Sequence, residues 1–446
     1  MTRVSATVDS YANQFTAFQE WAPLPEPLAS RRDDAFECFS RLGFPTTRLE
    51  AWRFTNVTPI AETAFELSKD GLNCSLTRAT LDALGVPRLG GVELVFVNGA
   101  YAPELSTVDD LPEGVRARNL RTVVSTDLDI LTPHLGSLAL VEDQAFTALN
   151  TAFLRDGAVV EVRAGSVVSE PIHLLFVSSG EVVPLLSQPR VLVLAGDGSQ
   201  VRLVESHTGI DGVRYLSNAV TEVSVGDRAI VDHYTLVREA GSAFRVGSLH
   251  ASLGRASNLS AHTITVSGAI VRNEVSVVLG GEGGECTLNG LYLASGHQLV
   301  DNQTTIEHAQ PHCDSFELYK GVLDGQSRAV FNGKIVVHVN AQKTNAKQSN
   351  KALLLSEGAQ VTTKPQLEIF ADDVKCTHGA TVGQLDADSL FYLRSRALSE
   401  RQARQLLVHA FAADLLSHVR VDAIRQQLDA LLLERLPTGT EAADAV

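Results

Sequence analysis

Between about residues 155 and 390 the chain runs in short β-branched apolar stretches broken by glycine turns, with hardly any helical periodicity. Four segments repeat this texture: VLAGDGSQVRLVE around Gly196, VSVGDRAIVDHY around Gly226, SLGRASNLSAHT around Gly254 and VLGGEGGECTLNG around Gly280. Their glycines are 30, 28 and 26 residues apart. Loose periods of this size suit the rungs of a β-solenoid, in which no rung buries its inner face alone and stacking supplies the core. A β-sandwich would use similar strands but join them more often by tight hairpins.

The flanks differ. Residues up to about 150 are mixed and mainly helical. Ser30 is placed to cap a helix that Gly43 and Pro45 end. Val92 to Val97 is a short apolar strand running into Asn98-Gly99, a hairpin-turn dipeptide. Trp21 and Trp52 read as packing anchors. After Leu393 helical spacing returns: Ser399 and Gln402 fit a capping box. Leu406, Ala410, Phe411, Asp414 and Leu415 share one face, and Ile424, Leu428, Leu431 and Leu432 follow in a second helix. These faces either cover the end of the solenoid or form a groove for a partner. The expected division is 1–154, mixed and helical; 155–392, solenoid core; 393–446, helical.

Composition narrows the function. With 52 acidic and 37 basic side chains the formal net charge is −15, which disfavours nucleic acid and anionic membranes as partners. No apolar run approaches the roughly 20 residues that span a bilayer, and MTRVSATVDSYANQF lacks the apolar core of a secretory signal. Cys38, Cys74, Cys286, Cys313 and Cys376 are odd in number and scattered, which is no disulfide framework. A cytoplasmic, reduced setting follows. There the N-x-S/T matches at Asn56, Asn73, Asn258 and Asn302 carry no glycosylation meaning, and LPTGT at Leu436 is no sortase signal.

The chemistry concentrates in PQLEIFADDVKCTHGATVG, from Pro365 to Gly383. Cys376 and His378 are two apart, so on a strand both leave one face with Cβ atoms about 6 to 7 Å apart. That is wide for one zinc ion but suited to gripping something larger, or to a site shared with a second chain. Asp372 and Asp373 could attract ferrous iron, though such pairs are usually only solvated. A second cluster, Glu307, His308, His312, Cys313 and Asp314, surrounds Pro311. Proline argues against a helix there, and on a strand the two histidines would stand about 13 Å apart, so structure or a subunit interface is favoured over metal ligation. No G-x4-G-K-[ST] loop, G-x-S-x-G elbow or H-E-x-x-H pair is present. A tightly held metal centre takes about four protein ligands, and no local set of four exists.

The segment CTHGATVGQLDADSLFYLRSRALS, from Cys376 to Ser399, resembles the C-terminal signature of the SufB/SufD family of iron–sulfur cluster assembly scaffolds. YKGVLDGQSRAVFNGKIVVHVNAQKTNAKQSNKALLLSEGAQVTTKPQLEIFADDVKC, from Tyr319, and GFPTTRLEAWRFTNV, from Gly43 to Val57, are similar to other stretches of that family. HGATVGQLD favours the SufD branch, since SufB typically carries Cys-Glu-His-Glu-Ala at this point. Ala397 departs from the glycine usual after Ser-Arg, a change expected to alter a helix approach rather than the chemistry.

The resemblance implies a mainly β fold with a right-handed parallel β-helix core between helical regions. It also implies a non-enzymatic scaffold subunit of a SufBCD complex. Its partners would be the paralogue SufB and the ATPase SufC, and a transient iron–sulfur cluster would be shared with SufB. His378 is then the iron or cluster ligand, with Cys376 a nearby thiol, and the C-terminal helices (Leu406, Phe411, Leu415) would dock SufC. Two readings stand beside it: a β-solenoid polysaccharide hydrolase or lyase, which would need paired carboxylates, or Arg and Lys, on one exposed face, and a homodimer with purely structural pairing.

Overall fold

The computed structural model describes residues 2–68, 76–179, 183–212 and 214–434. Cys74, Asn73 and the LPTGT segment at Leu436 lie outside the described residues. From Arg190 onward successive strands alternate between two facing sheets, so each rung contributes one strand to either side. One sheet runs Gly157–Val162, Arg190–Ala195, Tyr215–Val225, Phe244–Leu253, Ile270–Leu279, Leu299–His308, Arg328–Val337 and Gln360–Ile369, each parallel to the next. The facing sheet runs Ile172–Ser178, Gln200–Gly209, Ile230–Arg238, Asn258–Ser267, Glu285–Ala294, Asp314–Leu323, Asn345–Leu354 and Lys375–Gly383, again parallel throughout. The fold is a parallel β-solenoid of about 8 turns between helical regions.

Residues of period two fill the space between the sheets: Val231, Leu259, Cys286 and Ser315 occupy one register column, with Ala346 and Cys376 following. The repeated glycine segments mark the corners leaving the first sheet. Gly226 N–H donates to Ala195 O and Gly254 N–H to Val225 O, both at 2.8 Å, so corners stack as the strands do. At the fourth corner the tight contact belongs to Gly281 rather than Gly280: a Cβ there would lie 2.2 Å from Arg255 N.

The N-terminal region joins this frame directly. Asn98 and Gly99, both at positive φ (51° and 79°), turn Glu93–Val97 back onto Ala100–Tyr101, and Glu93–Val97 pairs with Ile172–Ser178. Helix Leu28–Leu42 ends at Gly43 as expected, but it starts at Leu28 after Pro27 without a side-chain cap. Proline favours a helix start and overrides Ser30, which lies within the first turn. Phe18, Phe39 and Phe153 fill the core beneath it. Trp52 packs on Phe146 and lies 3.7 Å under the Arg272 guanidinium. Arg272 also donates to Ala51 O and pairs with Glu274 and Asp301, and Thr55 donates to Asp301 at 2.6 Å. Glu50 pairs with Lys364 two strands further along. The Gly43–Val57 motif thus clamps the outer face of one sheet.

Helices Glu400–Leu416 and Asp422–Glu434 lie along the outer face of the other sheet. Val408, Ala412, Leu415, Ile424 and Leu428 bury Val204, Tyr234, Ile264, Leu291 and Val322. Lys320 anchors them by pairing with Asp414 and donating to Phe411 O at 2.6 Å. The helices therefore cover a side of the solenoid and leave its end open.

Candidate functional site

The last turn is built from Gln360–Ile369 and Lys375–Gly383, each bonded to the sheet on one edge only. Among the described residues no further strand pairs with that turn. Along Lys375–Gly383 the side chains are exposed except Cys376 and Gly383, and Ile369, Phe370 and Val382 show apolar surface. Helix Ala387–Ser395 follows with no buried residue, carrying Phe391 at 75 % and Tyr392 at 56 % exposure. Unpaired strand edges beside exposed aromatics are the makings of a protein junction.

Cys376 and His378 both lie on this final strand, paired with Ala346 and Gln348. Cys376 leans on Ile335, Val337, Ala341 and Ala371. That apolar floor pushes its thiol pKa up, so the group resists becoming the thiolate a metal prefers unless metal or a cation helps. His378 is exposed and leaves the strand on the same side. Asp373 is committed to Lys343, whereas Asp372 stands exposed one residue earlier. No group of three or more His, Cys, Asp and Glu converges to hold a metal among the described residues. Cys376 offers a soft donor and His378 a borderline one.

The second cluster comes apart. His308 is fully buried, bonded to Ser315 at 2.9 Å, and burial lowers its pKa to about 4. His312 sits exposed in a turn at φ 60°, and Cys313 donates to Gly281 O. Of the residues expected at a helical docking face, Leu406 is 48 % exposed and Phe411 lies half-buried over Lys320, but Leu415 is 1 % exposed inside the helix–sheet core.

Sequence reading missed what lies beneath His378. Gln348 and Glu317 precede it in the same register column, and Glu317 is a buried carboxyl whose pKa is raised to about 7 by desolvation. The rung period of about thirty residues, counted back from His378, was the signal that would have found them.

Residues 176–411 match the SufBD core domain of the SUF system for FeS cluster assembly, and residues 6–174 match the SufBD N-terminal region. The chain belongs to the SufBD family. It is 31 % identical over 434 residues to the iron–sulfur cluster assembly protein SufD of Escherichia coli, covering 96 % of this chain and 98 % of that protein. A SufBD family protein of Synechocystis is 33 % identical over 409 residues (90 % and 89 %), and SufD of Bacillus subtilis 27 % over 420 (92 % and 94 %). SufBD membership takes the place of the polysaccharide-active reading, and with it a role in iron–sulfur cluster assembly is assigned. No helix among the described residues is long and apolar enough to cross a membrane.

Proposed function

We propose that this SufBD-family chain is a non-enzymatic, SufD-type scaffold subunit of a cytoplasmic SufBCD complex, meeting its paralogue SufB at the open end of the solenoid. The observation carrying this reading is that Cys376 and His378 stand on the last, uncovered strand. There they supply two donors to iron or a nascent cluster, and the SufB side supplies the rest. The cluster is cargo, held transiently and passed on. ATP hydrolysis comes from a SufC-type partner, since this chain has no phosphate loop. The surface around Leu406 and helix Ala387–Ser395 is the docking region available to it, because Leu415 is already engaged.

His378→Ala tests the reading. The complex should assemble with unchanged circular dichroism while its iron and acid-labile sulfide fall. Cys376→Ser should lower them less, because the thiol's role is secondary to the imidazole's. Parent levels of iron and sulfide in His378→Ala would remove this residue from cluster handling.

A further inference from the structure

In the final turns one inward column reads Glu317, Gln348, His378, each directly paired with the next. Gln348 and Glu317 are both 3 % exposed, and Gln348 Nε2 donates to Glu317 Oε2 at 2.8 Å. With Glu317 Oε2 as the acceptor, this contact turns the amide nitrogen towards Glu317. The other end of the amide, Gln348 Oε1, is then buried without a partner among the described residues. The side chain is also held across the interior: a Cβ on Gly333 of the facing strand would lie 2.2 Å from Gln348 Nε2. Gln348 therefore has little freedom to relieve its idle oxygen by swinging away.

Neighbouring strands stand about 4.8 Å apart. The same one-strand step separates Gln348 from His378, and Gln348 Oε1 is an acceptor without a partner among the described residues. We propose that Gln348 is a positioning residue for His378. Its amide oxygen takes the N–H of one imidazole nitrogen, so the other nitrogen offers its lone pair outward to iron. An imidazole that binds metal generally donates its second nitrogen to a fixed acceptor, which selects the tautomer and aims the ring. Glu317 acts one step further back, by holding the amide the right way round. This rests on the reading of His378 as an iron ligand.

The test uses the complete chain labelled with ¹⁵N-histidine, the His378 signals being assigned by their loss in His378→Ala, and an anaerobic titration with ferrous ion alone. In the parent, His378 should show one dominant neutral tautomer. Gln348→Leu should mix the tautomers and weaken ferrous binding by about 10- to 100-fold. Glu317→Gln keeps size and burial but lets the Gln348 amide face either way, so it too should erode the tautomer preference, giving a second reading should the leucine variant fold poorly. If both variants keep the parent tautomer while His378→Ala abolishes ferrous binding, Gln348 positions nothing. If His378→Ala leaves ferrous affinity unchanged, the ligand reading itself falls, and this inference falls with it.

Discussion

Ala397 sits at φ 68°, just past helix Ala387–Ser395. Its N–H meets Arg394 O at 3.1 Å and the Leu398 N–H meets Leu393 O at 3.4 Å, a helix closure that favours glycine. A Cβ in this left-handed conformation costs about 1 kcal/mol. Ala397→Gly should therefore stabilise the chain by about 1 kcal/mol, seen as a higher denaturant midpoint at unchanged slope. The departure from the family's glycine was visible in the sequence; the positive φ that gives it meaning was not. Glu317 makes a second prediction. Burial raises its pKa to about 7 from an ordinary 4.5, so between those values the folded chain holds a proton the unfolded chain has released. Stability then falls as pH rises through that window, by at most about 1.4 kcal/mol per unit. His308, lowered from 6.5 to about 4 by burial, works the other way and costs stability as pH drops. Glu317→Gln should accordingly gain stability relative to the parent as pH goes from 4.5 to 7, with the acid-side loss unchanged, in thermal unfolding across that range.

At the scale of elements, an apolar stripe shows that a helix must be covered but not what covers it. The capping box at Ser399 and Gln402 was legible because it is local, and it is present. The glycine corners were legible because the rung period writes itself into the sequence. That the two C-terminal helices lie on a sheet's flank, pinned by Lys320 and by Arg420 on Asp232, depends on contacts far apart in the chain. Leu415→Ala should cost about 3 kcal/mol of stability, in the range for a buried leucine, whereas Leu406→Ala should be nearly neutral. Equilibrium denaturation distinguishes the two. Ending the chain before Ser399 would bare Val204, Tyr234, Ile264 and Leu291 together. The shortened protein should aggregate on expression, so a binding assay on it would not locate a docking site.

At the scale of the whole molecule, helices cover one flank of the solenoid and, among the described residues, no strand pairs beyond its last turn. With that end unpaired, the purified chain is expected to self-associate as concentration rises. Val382→Lys, which places a charge on the exposed terminal strand, should shift it to monomer in sedimentation equilibrium. A stack of repeats can in principle gain or lose a turn by duplication or deletion, since each turn answers only to its neighbours. Here the segment from Glu50 to Thr55 behaves as a caliper. It grips Arg272 on one strand, Asp301 on the next and Lys364 two strands beyond. Each added or missing turn would slide these marks by about 4.8 Å and leave at least one jaw empty. The number of turns in this part of the chain is therefore measured from outside the repeat, and descendants of this sequence are free to vary its corners far more readily than its length.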